Sequence, residues 1–405
     1  MKILVLNAGS SSQKSSLYHV EGNTLPSQRP EPIWEASIDW TASNDFGTLK
    51  VKANGNKTEM KLDPNKRVEG VSKVLETLTE GDTKILEELS EIDVVGHRVV
   101  HGGSDYSEAT RITSEVKAKI EQLITLAPNH NPAHLEGIEA IERLLPDVPQ
   151  VAVFDTAFHN KMPRSSAVYP IPYEWFEKGI RRYGFHGTSH KYCAQRAAQL
   201  LGKPLESLQL ITCHLGNGCS LAAIRDGISV DTTMGFTPLE GLMMGTRSGS
   251  IDPAILIYLM WEHKFNAEQL YHLLNKESGI KGITGKSSDM RYVLEHIEKG
   301  DERAKLAFDM FIHHLKTGIG AMLGNLTRLD ALVFSAGIGE HSAPVREAAC
   351  QGFEFLGLKI DLEKDAKSPV DTDISTEDSP VRVLIIHTEE DWAIASECWQ
   401  IVQSN

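Results

Sequence analysis

The chain has 405 residues, 41% of them apolar, and its 41 basic and 55 acidic residues give a formal net charge of −14. This charge disfavours binding to nucleic acid or to an anionic membrane surface, so any anion that the protein binds must be held by a local site. The apolar run after Lys2 is shorter than a secretory signal requires, and the longest run, residues 254–261, is too short to span a bilayer.

Apolar, strand-like segments alternate with segments of helical periodicity along the chain. The predicted strands are residues 2–7, 92–100, 148–155, 208–215, 330–337 and 381–386. The clearest predicted helices are residues 115–126, 133–145, 189–201, 303–328 and 390–403. This alternation indicates an α/β fold with helices packed on sheets, and the length of the chain favours two domains. Residues 22–33 and 364–380, which are rich in Pro, Ser, Asp and Glu, are predicted to be loops.

Three of the predicted strands lead directly into turns of small residues. These turns read "NAGSSS" (7–12), "HLGNGCS" (214–220) and "SAGIGEHS" (335–342). Glycine lets the backbone approach a ligand closely, and successive backbone N–H groups form a concave anion site. Each turn alone could be an ordinary tight turn, but together they could hold a polyphosphate. The first two are each followed by a second apolar segment, which fits either two similar halves or a chance recurrence of a common hairpin.

Charged side chains occur next to glycines or at the ends of predicted strands. Arg98 lies in "GHRVVHGG", where a buried guanidinium needs either a structural carboxylate or a phosphate as its partner. Arg247 lies between glycines, Asp155 ends a strand, and His130 and His186 lie in turns. Together with the three turns, this set fits phosphoryl transfer, in which the protein positions groups and neutralises charge. Magnesium would then be held by one or two carboxylates and the nucleotide phosphates.

The five cysteines are odd in number and scattered, without a CxxC pair or the ligand spacing of a zinc site. They are Cys193, Cys213, Cys219, Cys350 and Cys398. We therefore expect reduced, mostly buried thiols in a cytosolic protein.

The motifs quoted above belong to a longer series that resembles one enzyme family. In chain order the series is "NAGSSS", "GHRVVHGG", "HNPAH", "FDTAFH", "RRYGFHGTSH", "HLGNG", "MGTRSG", "AGIGE" and "TEEDWAIA". Its order and spacing are similar to those of the acetate kinase family, from residue 2 to about residue 396. The resemblance implies the superfamily fold of actin, sugar kinases and chaperone ATPases, with two duplicated, ribonuclease H-like α/β domains and a nucleotide cleft between them. The implied domains are residues 1–155 with 390–405, and residues 156–389.

The resemblance also implies an activity and the partners that go with it. The reaction would be reversible, direct in-line transfer of a phosphoryl group from ATP to acetate, giving acetyl phosphate and ADP. Magnesium would be the metal, with manganese as a substitute, and the protein would be a cytoplasmic homodimer without nucleic-acid or membrane partners. Two alternatives stay open: a kinase for propionate or another short-chain carboxylate, and a non-catalytic nucleotide-binding member of the superfamily.

The resemblance assigns a catalytic role to five residues. Arg98 and Arg247 would bind the acyl carboxylate and the moving phosphoryl group. His186 would stabilise the transition state with support from His130. Asp155 would orient the carboxylate or its arginine clamp. A non-catalytic nucleotide-binding protein would not need such an acid-binding clamp.

The same resemblance assigns residues to the metal, the acyl group and the nucleotide. Asn7 and Glu390 would serve the magnesium site. The acyl group would meet Arg98, Val100, Asn129, Phe185 and Pro238. The nucleotide would meet Ser10, Ser12, Lys14, His214, Leu215, Gly216, Asn217, Gly218, Asp289, Met290, Arg291, Gly337, Ile338, Gly339 and His341.

Two residues depart from the family pattern. The family usually reads "APLHNP" where this chain reads "APNHNP", so Asn129 replaces an apolar residue at the acyl pocket. His341 replaces the asparagine that frequently follows "AGIGE", at the adenosine end. The first departure bears on the preference for acetate over propionate, and the second bears on nucleotide preference.

Overall fold

The computed structural model describes residues 1–9, 12–26, 28–40, 46–63, 67–127 and 130–403. Their strands, in chain order, are β1 (Lys2–Ala8), β2 (Ser12–His19), β3 (Trp34–Asp39), β4 (Gly47–Ala53), β5 (Asn56–Leu62), β6 (Val94–Val99), β7 (Thr110–Arg111), β8 (Gln150–Phe154), β9 (Gln209–Leu215), β10 (Cys219–Arg225), β11 (Ile228–Thr232), β12 (Ala331–Ser335), β13 (Thr372–Asp373) and β14 (Arg382–Ile385).

The α-helices alternate with these strands. In chain order they are α1 (Arg67–Thr79), α2 (Ser114–Gln122), α3 (Asn131–Leu144), α4 (Arg164–Ala167), α5 (Glu174–Glu177), α6 (Gly187–Leu201), α7 (Ala254–Glu262), α8 (Ala267–Lys276), α9 (Gly279–Thr284), α10 (Met290–Glu298), α11 (Glu302–Leu323), α12 (Ala336–His341), α13 (Ala343–Cys350), α14 (Leu362–Asp365) and α15 (Glu390–Gln403). None of the helices in the described part of the chain combines the length and the apolarity that a membrane crossing needs.

The chain divides into two compact units. Unit 1 comprises Met1–Ala157 and Glu389–Asn405, and unit 2 comprises Phe158–Thr388. The strands β1 to β8 form one sheet in unit 1, and β9 to β14 form a second sheet in unit 2. The predicted α/β class is therefore confirmed, whereas the duplication of one domain into two stays a prediction.

The sheet of unit 1 brings three predicted site residues to one edge. Its strand order is β5-β4-β3-β2-β1-β6-β8-β7, and β1, β6 and β8 run parallel to one another. The carboxyl ends of parallel strands lie at the same edge of a sheet. Asn7 is near the end of β1, Arg98 is near the end of β6, and Asp155 directly follows β8.

The sheet of unit 2 brings two of the small-residue turns to one edge. Its order is β11-β10-β9-β12-β14-β13, and β9, β12 and β14 are parallel. The ends of β9 and β12 are level, because Ser335 lies opposite His214. The turn after β9 and the helix α12 after β12 therefore begin at the same edge. The strands on either side of each of the first two small-residue segments are antiparallel partners, β1 with β2 and β9 with β10.

The six predicted strands are present, with ends that differ from the prediction by a few residues. The meander of β3, β4 and β5 was not predicted. In β5 no residue is buried, so its polar sequence "NKTEMKL" carries little of the apolar alternation on which a strand prediction depends. The predicted loop at residues 364–380 is interrupted by the short strand β13 and by the end of α14.

Buried histidines predict a loss of stability in mild acid. Burial lowers the pKa of His97, His101 and His159 to about 4, whereas an unfolded histidine titrates at about 6.5. Between these values the unfolded chain binds more protons than the folded chain, so the free energy of unfolding falls as the pH falls. Each histidine contributes a slope of about 1.4 kcal/mol per pH unit in that window.

The measurement is the urea midpoint of unfolding at several pH values between 7.5 and 4.5. We expect it to fall steadily below about pH 6.5. His97→Gln removes one of the buried histidines and should make the fall less steep. A midpoint that is constant between pH 7 and pH 5 would contradict the prediction.

Candidate active site

Arg98 and Asp155 form a forked ion pair in unit 1. Arg98 Nε donates to both carboxylate oxygens of Asp155 at 3.1 Å, and Nη2 donates to Oδ2 at 2.7 Å. Only 3% of the Asp155 side chain is exposed. The fork fixes the plane of the guanidinium, whose Nη1 lies 3.4 Å from Oδ1 of Asn7. Asp155 thus sets the orientation of Arg98.

The first turn of α15 places two more carboxylates near Arg98. Nδ2 of Asn7 donates to Oδ1 of Asp391 at 2.8 Å and lies 3.5 Å from Oε2 of Glu390. Burial disfavours the charged form of Arg98, but the carboxylates of Asp155, Glu390 and Asp391 outweigh burial and raise its pKa. The neighbouring carboxylates therefore balance the positive charge of Arg98. The sequence analysis did not single out Asp391, although it belongs to the quoted motif "TEEDWAIA".

His130 immediately precedes α3, also in unit 1. Its ring lies 6.5 Å from that of His134, one turn into the helix. His134 is buried, and among the described residues neither of its ring nitrogens has a hydrogen-bond partner. Burial lowers the pKa of His134 well below its ordinary value, so this histidine is neutral at neutral pH. His134 lines a small cavity together with Arg98.

His186 lies in unit 2 at the position that precedes α6, with a left-handed backbone (φ 57°). Its Nδ1 is 2.8 Å from Oγ of Ser220 on β10. Its ring stacks on that of His214, with ring centres 4.1 Å apart. His214 in turn is 2.8 Å from Oγ of Ser189 through its Nδ1. The hairpin β9–β10 therefore holds the His186 ring on two sides.

Arg247 approaches the same hairpin turn. Its Nη1 donates to the carbonyl of Pro238 at 2.6 Å. A Cβ atom on Gly218 would lie 2.5 Å from Nη2 of Arg247 and 3.4 Å from Cε1 of His186, so glycine lets both side chains approach the turn.

Among the residues that the structure describes, no carboxylate balances the charge of Arg247. No ion pair forms between Arg247 and a carboxylate of the described chain. Burial lowers its pKa, but a guanidinium stays charged at neutral pH. A half-buried positive charge that no carboxylate of the described residues balances is suited to an anionic ligand.

Two groups of predicted nucleotide contacts lie in the β-hairpins. Lys14 lies on β2 opposite Asn7 of β1, and Ser12 begins β2. In unit 2, Leu215 ends β9, and the turn Gly216–Gly218 leads into β10. The predicted nucleotide contact Ser10 and the predicted acyl contact Asn129 lie outside the described residues.

The adenosine-end residues lie in α12 and at the start of α10. A Cβ atom on Gly337 would meet no atom within 4 Å, so its backbone borders open space. Asp289 caps α10 by accepting a hydrogen bond from the Arg291 backbone at 2.8 Å, and it also pairs with the exposed Arg291 side chain. Met290 is buried. A contact of these residues with adenosine stays a prediction.

A buried arginine that the sequence analysis did not identify supports α12. Arg346 is fully buried, and its Nη1 donates to the carbonyls of Gly339 and Glu340 at 2.7 and 2.8 Å. Its Nε donates to Oδ1 of Asp365 at 2.6 Å. Arg346 therefore ties the end of α12, which carries part of the "AGIGE" motif, to α14.

The predicted acyl-pocket residues are divided between the units. Val100 is buried in unit 1. Phe185, which precedes His186 in the chain, is buried in unit 2, and its carbonyl oxygen lies 3.0 Å from Nε2 of His159. Pro238 is half-buried and presents its carbonyl to Arg247. Of the catalytic set, Arg98, His130 and Asp155 belong to unit 1, whereas His186 and Arg247 belong to unit 2.

Comparison with known proteins gives the family of the chain. A model of the acetokinase family matches residues 2–396. The chain belongs to the acetokinase family. Acetokinase relatives include the acetate kinase of Rippkaea orientalis, 66% identical over 398 residues and 98% of each chain. The acetate kinase of Microcystis aeruginosa is 63% identical over 401 residues, which is 99% of this chain and 100% of that one.

Solved structures of an acetate kinase and of a propionate kinase share the fold. The crystal structure of Porphyromonas gingivalis acetate kinase matches with a TM-score of 0.91 and 40% identity over 99% of each chain. A propionate kinase from Francisella tularensis matches with a TM-score of 0.89 and 39% identity, over 98% of this chain and 99% of that one. The resemblance deduced from the motifs is therefore confirmed at the level of family and fold.

Proposed function

We propose that the protein transfers the γ-phosphoryl group of ATP to acetate, reversibly, giving acetyl phosphate and ADP. The observation that carries this proposal is the similarity to an acetate kinase at 66% identity over 98% of the chain. A carboxylate oxygen of acetate attacks the γ-phosphorus, and the bond from that phosphorus to the β–γ bridging oxygen breaks in line. The reaction needs no covalent intermediate on a side chain. The protein would therefore act by positioning the two substrates and by neutralising the negative charge of the phosphoryl group.

The unpaired charge of Arg247 supports this chemistry. Negative charge spreads over the equatorial oxygens of the moving phosphoryl group in the transition state. Arg247 would neutralise that charge, and it needs no rearrangement of a competing ion pair to do so. Arg98, held in one plane by Asp155, would bind the acid or the phosphoryl group through its remaining N–H groups. His186 would donate a hydrogen bond to the transition state, with support from His130.

The residues proposed for magnesium suit a hard cation that is bound by the protein and by the nucleotide phosphates together. Magnesium prefers oxygen ligands and is usually bound by one or two carboxylates together with substrate phosphates. Glu390 and Asn7 offer a carboxylate and an amide oxygen in the same neighbourhood. In the described part of the chain, no three His, Cys, Asp or Glu side chains are grouped to hold a metal by themselves. Bound magnesium would neutralise phosphate charge, and manganese could replace it.

The direct test is to identify the product. The purified protein is incubated with ATP, magnesium and acetate, and acyl phosphate is trapped with hydroxylamine as the hydroxamate. We expect hydroxamate in proportion to the ADP formed, and none without acetate. Release of inorganic phosphate without hydroxamate would show an ATPase and would contradict the proposal.

Propionate is the second candidate substrate, because a propionate kinase of known structure is 39% identical to this chain. One methylene group changes discrimination by only about 1–3 kcal/mol. We therefore expect acetate to be the better substrate and propionate to react at a reduced but measurable rate.

Asn129 is predicted to relax the preference for acetate. The family pattern has an apolar residue at this position, and an unpaired buried amide costs about 1–3 kcal/mol, so asparagine suits an apolar pocket less well than leucine. Asn129→Leu should restore the apolar residue and raise the acetate-to-propionate ratio of kcat/KM. The measurement is that ratio in both proteins, and an unchanged ratio would show that Asn129 does not shape the pocket.

The proposal includes a homodimer formed through α7. No residue of this nine-residue helix is buried, and its sequence "AILIYLMWE" is almost entirely apolar. Ile255, Ile257, Tyr258 and Met260 are exposed, and Trp261 is 71% exposed. A helix that is apolar on all sides is normally covered, and a contiguous exposed apolar patch commonly marks a protein interface. A second copy of the chain can cover it by presenting the same helix about a twofold axis.

Sedimentation equilibrium tests the dimer. We expect a dimer for the unmodified protein and a monomer for Trp261→Glu. Leu306→Glu is the matched control, because Leu306 is also an exposed apolar residue but lies on α11. A monomer in the unmodified protein, or a dimer in Trp261→Glu, would contradict this interface. We also propose a cytoplasmic location, in keeping with five free, buried cysteines.

A further inference from the structure

Residues 233–250, which we call the arginine segment, contain two residues of the proposed site. Pro238 would border the acyl group, and Arg247 would meet the phosphoryl group. Every residue of this segment is described, and none belongs to a helix or a strand. Individual hydrogen bonds must therefore fix its shape. One of them lies within it, because Nη1 of Arg247 donates to the Pro238 carbonyl at 2.6 Å. The place of Pro238 thus determines the place of the guanidinium.

Tyr169 bonds to the arginine segment on both sides of Pro238. Its hydroxyl oxygen accepts a hydrogen bond from the backbone N–H of Phe236 at 2.8 Å, and the hydroxyl donates to the carboxylate of Glu240. Phe236 is two residues before Pro238, and Glu240 is two residues after it. Burial and the Glu240 carboxylate raise the pKa of Tyr169, so its hydroxyl keeps the proton that it donates. One hydroxyl therefore closes residues 236–240 into a loop with Pro238 at its centre.

Arg182 binds the same carboxylate and the beginning of the segment. Its Nη2 donates to Oε1 of Glu240 at 2.7 Å. Its Nη1 lies 3.1 to 3.2 Å from three successive backbone carbonyls, those of Thr232, Thr233 and Met234. The planar fork of a guanidinium can bind a carboxylate and main-chain carbonyls at the same time. Arg182 therefore fixes Glu240 relative to the start of the arginine segment.

This arrangement also determines which cation pairs with Glu240. Glu240 is the only acidic residue of the arginine segment, and Arg247 is its only basic residue. The carboxylate pairs with Arg182, which lies outside the segment, whereas Arg247 donates to a neutral carbonyl. A guanidinium that is already paired with a carboxylate is less available to an anionic ligand. Arg182 therefore leaves the charge of Arg247 available.

We propose that Tyr169, Arg182 and Glu240 are positioning residues that fix the Pro238 carbonyl and, through it, the guanidinium of Arg247. They shape the wall of the acyl pocket and orient the charge that meets the phosphoryl group. The catalytic consequence rests on the proposed function, whereas the ordering of the arginine segment does not.

Amide hydrogen exchange, read by mass spectrometry of peptides, tests the ordering without an activity assay. Tyr169→Phe removes the hydroxyl and keeps the ring, and we expect faster exchange in peptides from residues 233–250. Tyr173→Phe is the matched control, because the Tyr173 hydroxyl also bonds to an arginine, Arg164, but Tyr173 is exposed. It should leave exchange in the segment unchanged. Unchanged exchange in Tyr169→Phe, or an equal increase in Tyr173→Phe, would overturn the proposal.

Kinetics test the catalytic consequence. In Tyr169→Phe we expect kcat with acetate to fall about 10- to 100-fold, while the KM for ATP changes less than about twofold. Displacement of Pro238 should also lower the acetate-to-propionate ratio of kcat/KM, which a loss of stability alone would not change. Arg182→Lys keeps the charge but not the planar fork, so it should also lose kcat. Tyr173→Phe should have near-normal kcat and an unchanged ratio.

The outcomes separate this proposal from the proposed function. Faster exchange in Tyr169→Phe with unchanged kcat and an unchanged acetate-to-propionate ratio would show that the three side chains serve the structure only, and would overturn their positioning role. Absence of acyl phosphate with the unmodified protein would instead contradict the proposed function and leave the exchange result standing.

Discussion

Replacing Arg247 by alanine should lower kcat/KM for acetate by about two to three orders of magnitude. The guanidinium meets charge that grows in the transition state, and loss of one such donor costs about 3–4 kcal/mol. Arg98→Ala should cause a comparable loss. Arg247 gives the cleaner test, because it has no carboxylate partner in the described chain, whereas removing Arg98 leaves Asp155 buried without its ion pair.

Lysine should recover little activity at either position, because an ammonium group cannot supply the planar fork of donors. Arg111→Ala serves as the control, since Arg111 is exposed on the short strand β7. Steady-state kinetics with acetate and ATP, together with a thermal melt of each variant, separate lost chemistry from lost folding. Near-normal turnover in both Arg98→Ala and Arg247→Ala would contradict the proposed mechanism.

His186→Ala should lower kcat far more than it raises the KM for acetate. A group whose contact strengthens in the transition state contributes to kcat rather than to ground-state binding. The loss should be about 100-fold or more, the scale of an oxyanion-type donor. An unchanged kcat with a large rise in KM would make His186 a ground-state binding residue.

A second variant at His186 is needed to separate the loss of the imidazole ring from strain in the backbone. At φ 57° alanine is strained, whereas asparagine tolerates the left-handed region. His186→Asn keeps the backbone and removes the imidazole, so it should lose kcat to a similar extent while melting at a higher temperature than His186→Ala. Recovery of full activity in His186→Asn would show that the backbone, and not the ring, explains the loss.

Local sequence signals predicted the elements that position the site. Six apolar runs gave the parallel strands at the centre of each sheet, and strand ends indicated Asp155 and the small-residue turns. Parallel pairing then brings Asn7, Arg98 and Asp155 to one edge, since β1, β6 and β8 are neighbours. The strand order itself could not be read from these runs, because it depends on which strands pair over long distances in sequence.

The residues that the sequence did not reveal act through long-range contacts. Asp391 meets Asn7 across 384 positions of the chain. Ser220 meets His186 across 34 positions, and Arg346 meets Asp365 across 19. Ser220 belongs to the quoted turn "HLGNGCS" and Arg346 to the helical segment "APVREAAC", but neither has a local feature that indicates its partner. Their function depends on the side chain that the fold places opposite them.

The dependence of ADP formation on a carboxylic acid tests the central claim most directly. ADP is measured in a coupled assay with ATP and magnesium, in parallel with acetate, with propionate and without acid. We predict rapid ADP formation with acetate, slower formation with propionate and almost none without acid. Equal rates of ADP formation with and without acetate would contradict the account, because phosphoryl transfer would then not require the carboxylate that Arg98 and Arg247 are proposed to bind.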